Sequence, residues 1–342
     1  MKNYILRDEN AVFFECGYSC DNEIFICIDG YKFFITDARY AIEAQEFAKS
    51  DVNVICTQTS VIKEARFLLR KLKPKNLVFD PFDFSYADFN QLSSSLGIHF
   101  IQKPNFSKLK RIIKSQEEIQ ILQQAAKFGE KCFDEFADFI RKNGENMSEE
   151  ELFFNANLIF RQKNTLGLSF EPIVAINENA AKAHALPSKK KLKYGDLLLV
   201  DAGVRYKKYC SDRTRTACFD ENFNFSKEQK FKNQKQQDVY EIVKQAQIKA
   251  INIIKPGIKA KEIDLAARNF IAEAGYEKEF FHSTGHGVGI DIHEFPNINK
   301  RSETIIQEGM IFSVEPGIYI QNEFGVRIED VVLVTKDGVL IL

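Results

Sequence analysis

Four acidic residues and one histidine form the group in this sequence with the clearest chemical potential. Asp201 and Asp212 lie on either side of one short segment. Three further residues follow far downstream: His286, Glu315 and Glu329. Two divalent ions about 3.5–4 Å apart need carboxylates that bridge them, and four carboxylates carry about −4 of formal charge, which balances two such ions. Oxygen-rich ligation with one imidazole suits Mn²⁺, Mg²⁺ or Co²⁺ better than a thiolate zinc site. The group therefore predicts a dinuclear metal centre.

The local sequence supports this prediction where acidic residues adjoin apolar runs. Asp201 ends the run 197–200, and Glu329 precedes the run 331–334. An isolated acidic residue is more often a solvated charge, but acidic residues are almost never fully buried unless they are paired or bound to metal. Arg327 could neutralise Glu329. However, residues two apart in a strand face the same side, so these two would share one site.

The segments around these residues resemble the motifs of a known enzyme family. Four segments carry the resemblance: DAGVRYKKYCSDRTRT, HSTGHGVGIDIHEFP, SVEPGIYI and GVRIEDVVLVT. They are similar to the metal-site motifs of the pita-bread metallopeptidases, which include methionine aminopeptidase, aminopeptidase P and prolidase. The order Asp, Asp, His, Glu, Glu matches in full. The resemblance implies an α+β fold, in which a pita-bread catalytic domain follows a smaller, creatinase-like α/β domain.

The resemblance also implies a role for each site residue. The implied metal ligands are Asp201, Asp212, His286, Glu315 and Glu329. They would hold two divalent ions per chain, foremost Mn²⁺, with Co²⁺ and Zn²⁺ as alternatives. The implied catalytic residues are His184, His282, His293, Glu315 and Arg327. Among them, His184 and His293 match histidines that stabilise the tetrahedral intermediate. His282 and Arg327 match residues that shape the pocket around the scissile bond, and Glu315 would move the proton.

The large leading domain and the short interval between Glu315 and Glu329 favour the proline-specific branch of the family. The implied substrate is a peptide with proline at its second position, cleaved at the Xaa-Pro bond. We expect aminopeptidase P, because Arg327 already has acidic partners and a prolidase needs a cation for the free carboxylate of proline. Prolidase is the alternative, since Arg39 or Arg66 could supply that cation. A non-catalytic binding module on the same fold is a further alternative.

Length and composition fit a two-domain enzyme with no nucleic-acid partner. The chain of 342 residues exceeds what one core usually covers, and we expect domains at residues 1–105 and 106–342. The net charge of −1 offers no attraction to polyanions. No apolar stretch approaches the roughly 20 residues that span a bilayer, so we expect no membrane association. The seven cysteines include no CxxC pair and indicate a reducing cytoplasm. The family resemblance further implies a homodimer.

In the leading domain, apolar runs alternate with helical patterns, which predicts an α/β layer. The pair Asp29-Gly30 between two apolar runs predicts a hairpin. Helices are predicted over residues 39–49, 61–71 and 87–96.

In the second domain, two serine–glutamate pairs are typical of capping boxes. Ser115 with Glu118 and Ser148 with Glu151 predict helix starts, with the helices running to about residues 142 and 163. Two more helices are predicted over residues 227–254 and 260–274.

Overall fold

The structure is a computed structural model that describes residues 2–342. It divides into two compact units, Met1–Lys110 and Arg111–Leu342. The sequence placed the boundary near residue 105, and the first unit runs to Lys110. Within residues 2–342, no helix combines the length and apolar character needed to cross a bilayer.

The first unit contains a six-stranded mixed sheet. Its strands are β1 (Tyr4–Leu6), β2 (Glu23–Ile28), β3 (Tyr31–Asp37), β4 (Val52–Thr57), β5 (Asn76–Phe79) and β6 (His99–Gln102). They are ordered β4-β3-β2-β1-β5-β6, with the β3–β4, β1–β5 and β5–β6 pairs parallel. The predicted hairpin is confirmed: β2 and β3 pair around Asp29 and Gly30, which both have positive φ, as a tight two-residue hairpin turn requires.

Helices cover this sheet and complete its core. They are α1 (Glu9–Cys16), α2 (Ala41–Phe47), α3 (Val61–Leu72), α4 (Tyr86–Ser93) and α5 (Phe106–Lys110). In α3 the apolar residues recur at helical spacing, and Ala65 and Leu69 are fully buried. The predicted alternation of strands and helices is therefore present in this unit.

Four long helices support the second unit. They are α6 (Gln116–Asn143), α7 (Glu149–Phe160), α8 (Gln234–Asn252) and α9 (Ala260–Glu273). Both predicted capping boxes form, at Ser115 and at Ser148. The predicted start of α8 at residue 227 is wrong, because Asn233 caps the helix and the preceding residues form turns. Lys227 instead donates through its ammonium group to Asp330.

The strands of the second unit are short and form four sheets. They are β7 (Gly167–Leu168), β8 (Ile173–Ile176), β9 (Leu197–Ala202), β10 (Val204–Tyr206), β11 (Tyr209–Cys210), β12 (Arg213–Cys218), β13 (Gly285–Gly287), β14 (Glu294–Ile298), β15 (Ile311–Val314), β16 (Gly317–Ile320), β17 (Phe324–Arg327), β18 (Asp330–Val334) and β19 (Val339–Ile341). The sheet orders are β11-β10-β7, β12-β9-β8, β14-β13-β15-β18-β19 and β16-β17.

Three of these sheets meet where the acidic residues lie. Glu329 N donates to Thr214 O at 3.1 Å, which joins the start of β18 to β12. Thr216 Oγ1 donates to Arg327 O at 3.0 Å and accepts from Arg327 N at 3.1 Å, which joins β12 to β17. Arg327, at the end of β17, and Glu329, just before β18, are therefore fixed to β12 by hydrogen bonds, whereas His184 and His282 lie outside the strands.

Candidate metal centre

All nine candidate residues line one cavity of about 740 Å³ in the second unit. They are His184, Asp201, Asp212, His282, His286, His293, Glu315, Arg327 and Glu329. Seven of them lie on strands or directly beside a strand end, so the backbone hydrogen bonds of the sheets fix their positions. Residues far apart in the sequence thus converge as the motif order predicts.

Asp212, His286 and Glu329 form the tightest group in the cavity. One ligand atom from each lies within 4.8 Å of the other two, as the donors of a single metal ion would. His286 Nε2 is 3.6 Å from Asp212 Oδ2. His286 Nδ1 lies 3.1 Å from Gly287 O, which places the ring proton on Nδ1 and leaves the Nε2 lone pair to bind a metal.

Glu315 and Asp201 line the same cavity as this group. Glu315 Oε1 is 3.3 Å from His286 Nε2. Asp201 Oδ2 accepts from Arg327 Nη2 at 2.6 Å. Arg327 therefore pairs with Asp201, one of the two acidic partners that the sequence offered it. It lines the same cavity as Glu329, as predicted, although β17 ends at Arg327 and Glu329 lies just before β18.

The electrostatics of the cavity indicate that its carboxylates lack sufficient partners. Burial, together with the nearby Glu315 and Asp201, raises the pKa of Glu329 well above its ordinary value. Burial and the neighbouring carboxylates do the same to the pKa of Asp212. Burial also raises the pKa of Glu315 to about 8. Without added cations, the folded protein therefore favours protonation of these carboxyl groups.

The donor set fits divalent metal ions. Asp201 Oδ1 and Glu329 Oε1 are buried and have no hydrogen-bond partner within residues 2–342. The other oxygen of Glu329 accepts from Thr214 Oγ1 at 2.7 Å. Buried acceptors without a donor are costly, and ions held by carboxylates and one imidazole would satisfy both oxygens. The chemistry of these side chains is therefore that of an oxygen-rich metal site.

The three remaining candidate histidines surround this group in different ways. His293 lies beside His286, with ring centroids 4.3 Å apart. His184 and His293 are both exposed, so each can reach a molecule in the cavity. His282 Nδ1 lies 2.7 Å from Ser283 O, and its Nε2 lies 2.9 Å from the Tyr319 hydroxyl.

Tyr319 contacts two residues that line the cavity, His282 and Arg327, and the sequence reasoning missed it. Arg327 Nη1 donates to the Tyr319 oxygen at 2.8 Å, so the Tyr319 hydroxyl proton is directed to His282 Nε2. Burial lowers the pKa of His282 to about 3, which keeps the ring neutral and able to accept this proton. Tyr319 and Gly317 both lie in β16, the strand that follows Glu315. Side chains at alternate positions of a strand share a face, and this alternation was the available signal for Tyr319.

Comparisons with known proteins agree with this geometry. A profile described as "Metallopeptidase family M24" matches residues 120–336. A Pyrococcus horikoshii protein named Xaa-Pro dipeptidase is 38% identical over 260 residues, which cover 72% of this chain and 70% of that protein. The solved Xaa-Pro dipeptidase from Bacillus anthracis has a TM-score of 0.90 at 31% identity, covering 99% of this chain and 92% of that one. An X-Pro aminopeptidase from Thermotoga maritima has a TM-score of 0.87 at 30% identity, covering 100% and 95%.

The fold and the carboxylate-lined cavity define a metal-dependent peptidase of the pita-bread class. The chain belongs to metallopeptidase family M24. The predicted fold class and the family resemblance are thereby confirmed.

Proposed function

We propose that this protein is a Xaa-Pro dipeptidase (prolidase) that uses two divalent metal ions. The observation that carries the proposal is the convergence of four carboxylates, one imidazole and three further histidines on a single cavity. The similarity to proteins named Xaa-Pro dipeptidase supports the substrate class. These comparisons favour prolidase, which the sequence left as the alternative, over the aminopeptidase P that it preferred.

The proposed ligands are Asp201, Asp212, His286, Glu315 and Glu329. When bound there, divalent ions would supply Lewis acidity, which polarises a carbonyl and lowers the pKa of a water. Glu315 accepts the proton of the attacking water on a carboxylate oxygen and passes it to the leaving proline nitrogen. The hydroxyl of Ser313 donates to Glu315 Oε1 at 3.3 Å and orients that carboxylate.

Two exposed histidines would stabilise the charge that develops on the substrate carbonyl. His184 and His293 line the cavity and can donate an N–H to the developing oxyanion, a contribution usually worth about 3–4 kcal/mol. His282 has both nitrogens occupied within the protein, so it shapes the wall of the cavity rather than donating to substrate. Arg327 holds Asp201 and Tyr319 in place.

The shape of the cavity suits an amide that ordinary peptidases handle poorly. The Xaa-Pro bond has no N–H and populates the cis isomer more than other peptide bonds. Apolar side chains line one part of the cavity, including Phe153, Phe170 and Ile292. A rigid proline ring can pack against such side chains without leaving a buried donor unpaired.

Aminopeptidase P is the second candidate, and the surroundings of Arg327 favour it. Among the cavity-lining residues in the part of the chain that the structure describes, Arg327 is the one arginine or lysine. Its donors already reach Thr214 Oγ1, Ala183 O and the Tyr319 hydroxyl, besides Asp201. An arginine with these bonds is not available for the carboxylate of a dipeptide, which a longer peptide does not present at that position.

Three substrates distinguish the two candidates: a Xaa-Pro dipeptide, the same dipeptide with its carboxylate amidated, and a Xaa-Pro-Yaa tripeptide. With Mn²⁺ present, a dipeptidase should cleave the dipeptide with a kcat/KM at least about tenfold above the other two, or about 1.4 kcal/mol. Equal or better cleavage of the tripeptide would replace the proposal with aminopeptidase P. No cleavage of any of the three by metal-loaded protein would support a non-catalytic role.

Three further properties belong to the same proposal. Manganese is the proposed metal, because it prefers oxygen-rich sites that include an imidazole. A homodimer is proposed from the family resemblance. A cytoplasmic location is proposed from the seven cysteines, which are unpaired in the structure.

A further inference from the structure

Glu149 is a buried carboxylate that the proposed mechanism does not use. It is the first residue of α7 and is fully buried. Its oxygens accept hydrogen bonds from Ile176 N at 2.6 Å, Asn179 Nδ2 at 2.7 Å and Ser188 N at 2.8 Å. All three donors are neutral and none belongs to α7, so the carboxylate ties the helix to a separate part of the chain.

The position of Glu149 explains how it can remain charged inside the protein. It lies in the first turn of α7, where the helix dipole favours a negative charge. Three N–H donors stabilise a buried carboxylate further. Glu149 therefore does not need a cation or a metal, and its carboxylate holds its three hydrogen-bond donors in place.

These donors flank the segment that carries His184. Ile176 and Asn179 come before His184 and Ser188 comes after it, so one carboxylate fixes both ends of the segment. Asn179 Nδ2 also donates to Leu186 O at 2.9 Å, which folds the segment back on itself. The backbone of α7 adds a second connection, since Glu150 N donates to Ser188 O at 3.2 Å.

The first part of the segment is also attached elsewhere, since Asn177 Nδ2 donates to Asp196 Oδ1 at 2.7 Å and Asn177 Oδ1 accepts from Leu197 N at 2.8 Å. Between its ends, Arg327 Nη1 donates to Ala183 O at 3.1 Å, while Leu186 is 82% exposed. Fixing the ends of a short loop removes much of its conformational freedom, and a catalytic group must be held close to its working position to be effective.

We infer that Glu149 is a positioning residue, which holds His184 in the cavity by tying both ends of residues 176–188 to α7. The inference rests on the proposed function, in which His184 donates to the developing oxyanion. Glu149 itself does not touch the substrate. Its effect on the reaction should therefore pass entirely through His184.

A double-mutant cycle tests this dependence. Glu149→Gln keeps the volume of the side chain but turns an amide nitrogen towards N–H donors. We expect kcat to fall about 10–100-fold, with KM and metal stoichiometry little changed. In a His184→Ala background the same substitution should lower kcat less than about twofold, because the group it positions is absent. Equal losses of kcat in both backgrounds would overturn the inference.

Amide hydrogen exchange gives a readout that does not depend on activity. In Glu149→Gln the amides of Ile176 and Ser188 should exchange at least about tenfold faster, whereas the neighbouring exposed control Glu150→Gln should leave them unchanged. Unchanged exchange in Glu149→Gln would also overturn the inference. If that variant does not fold, Asn179→Ala removes one donor and should show the same non-additivity with a smaller loss.

The two experiments separate failure of this inference from failure of the proposed function. A normal kcat in His184→Ala alone would contradict the role proposed for His184. The exchange rates would then still decide whether Glu149 holds the segment.

Discussion

Two groups of buried carboxylates in the second unit differ in how their charges are satisfied. Glu149 accepts three hydrogen bonds from protein donors. Asp264 is likewise fully buried and accepts from Arg268 and from both the backbone N–H and the hydroxyl of Thr284. In the candidate metal centre, by contrast, one buried oxygen each of Asp201 and Glu329 has no hydrogen-bond partner among the residues that the structure describes. A buried carboxylate whose oxygens accept hydrogen bonds from the protein stabilises the fold. Several neighbouring buried carboxylates whose oxygens lack donors require cations.

Glu149 and Asp264 are placed to support the candidate metal centre. Asp264 fixes Arg268, whose guanidinium donates to Phe280 O and His282 O at 2.8 Å each. Thr284 O in turn accepts from Glu315 N at 2.7 Å. The satisfied carboxylates thus hold the segments that present His184, His282 and one candidate ligand, Glu315.

Among the substitutions considered, replacing a carboxylate of the candidate metal centre should have the largest effect on metal content and kcat. In Glu329→Gln or Asp212→Asn we expect metal to be lost and kcat to fall about 10³-fold or more, because water is no longer activated. Metal content by elemental analysis and kcat on the same samples check this. The exposed Glu308→Gln is the control and should retain both. Full metal content in either ligand variant would contradict the assignment.

Removing a donor at the edge of the cavity should affect the reaction without affecting the metal. His184→Ala should lower kcat about 10²–10³-fold, the scale of one transition-state donor, while keeping its ions and its fold. The control is His99→Ala, which alters an exposed histidine of the first unit. If His184→Ala instead released the ions while still folded, His184 would itself be a ligand.

Replacing a buried carboxylate that accepts hydrogen bonds from the protein should lower the stability of the fold. Asp264→Asn leaves Arg268 without its ion-pair partner, and we expect the free energy of unfolding to fall by about 3 kcal/mol. Urea unfolding of the metal-loaded protein measures this, with the exposed Glu273→Gln on the same helix as the control. A change no larger than that of the control would show that Asp264 is not a structural anchor.

The metal-free protein should become less stable as the pH rises from about 6.5 to about 8. The pKa of Glu315 is raised from 4.5 to about 8 in the folded state. Its contribution to the stability of the folded state is therefore full below pH 4.5 and is lost as the pH approaches 8. Burial lowers the pKa values of His282 and His286 from 6.5, so above that pH these residues no longer oppose the trend.

The expected loss is about 1 kcal/mol per pH unit. Thermal unfolding of metal-free protein across this range measures it, and Glu315→Gln should reduce the slope. Bound cations replace the protons, so the metal-loaded protein should not show the decline. If the stability of the metal-free protein stayed constant or rose over this pH range, these carboxylates would not lack partners as the account requires.

Local signals predicted much of the fold. The helix starts at Ser115 and Ser148 were readable because a capping box is a contact between residues three apart. Helix α1 was missed, although Asp8 caps its start and Gly17 ends it. The start of α8 was misplaced because polar residues after Lys227 fit a helical pattern as well as a turn.

The site was predictable only where its residues lie in motifs. Comparison of motifs brought together the five proposed ligands, which the structure places around one cavity. Glu149 and Asp264 were missed because charged residues in an amphipathic helix ordinarily face solvent. Their burial depends on donors from distant segments, which no local pattern reveals.

The most direct test of the central claim is the number of metal ions that the unsatisfied carboxylates bind. Metal-free protein should be titrated calorimetrically with Mn²⁺, and the peptidase activity should be followed on the same samples. The account predicts two ions per chain, with activity that requires both. Full activity with at most one bound ion, after weak occupancy of a second position has been excluded, would contradict it.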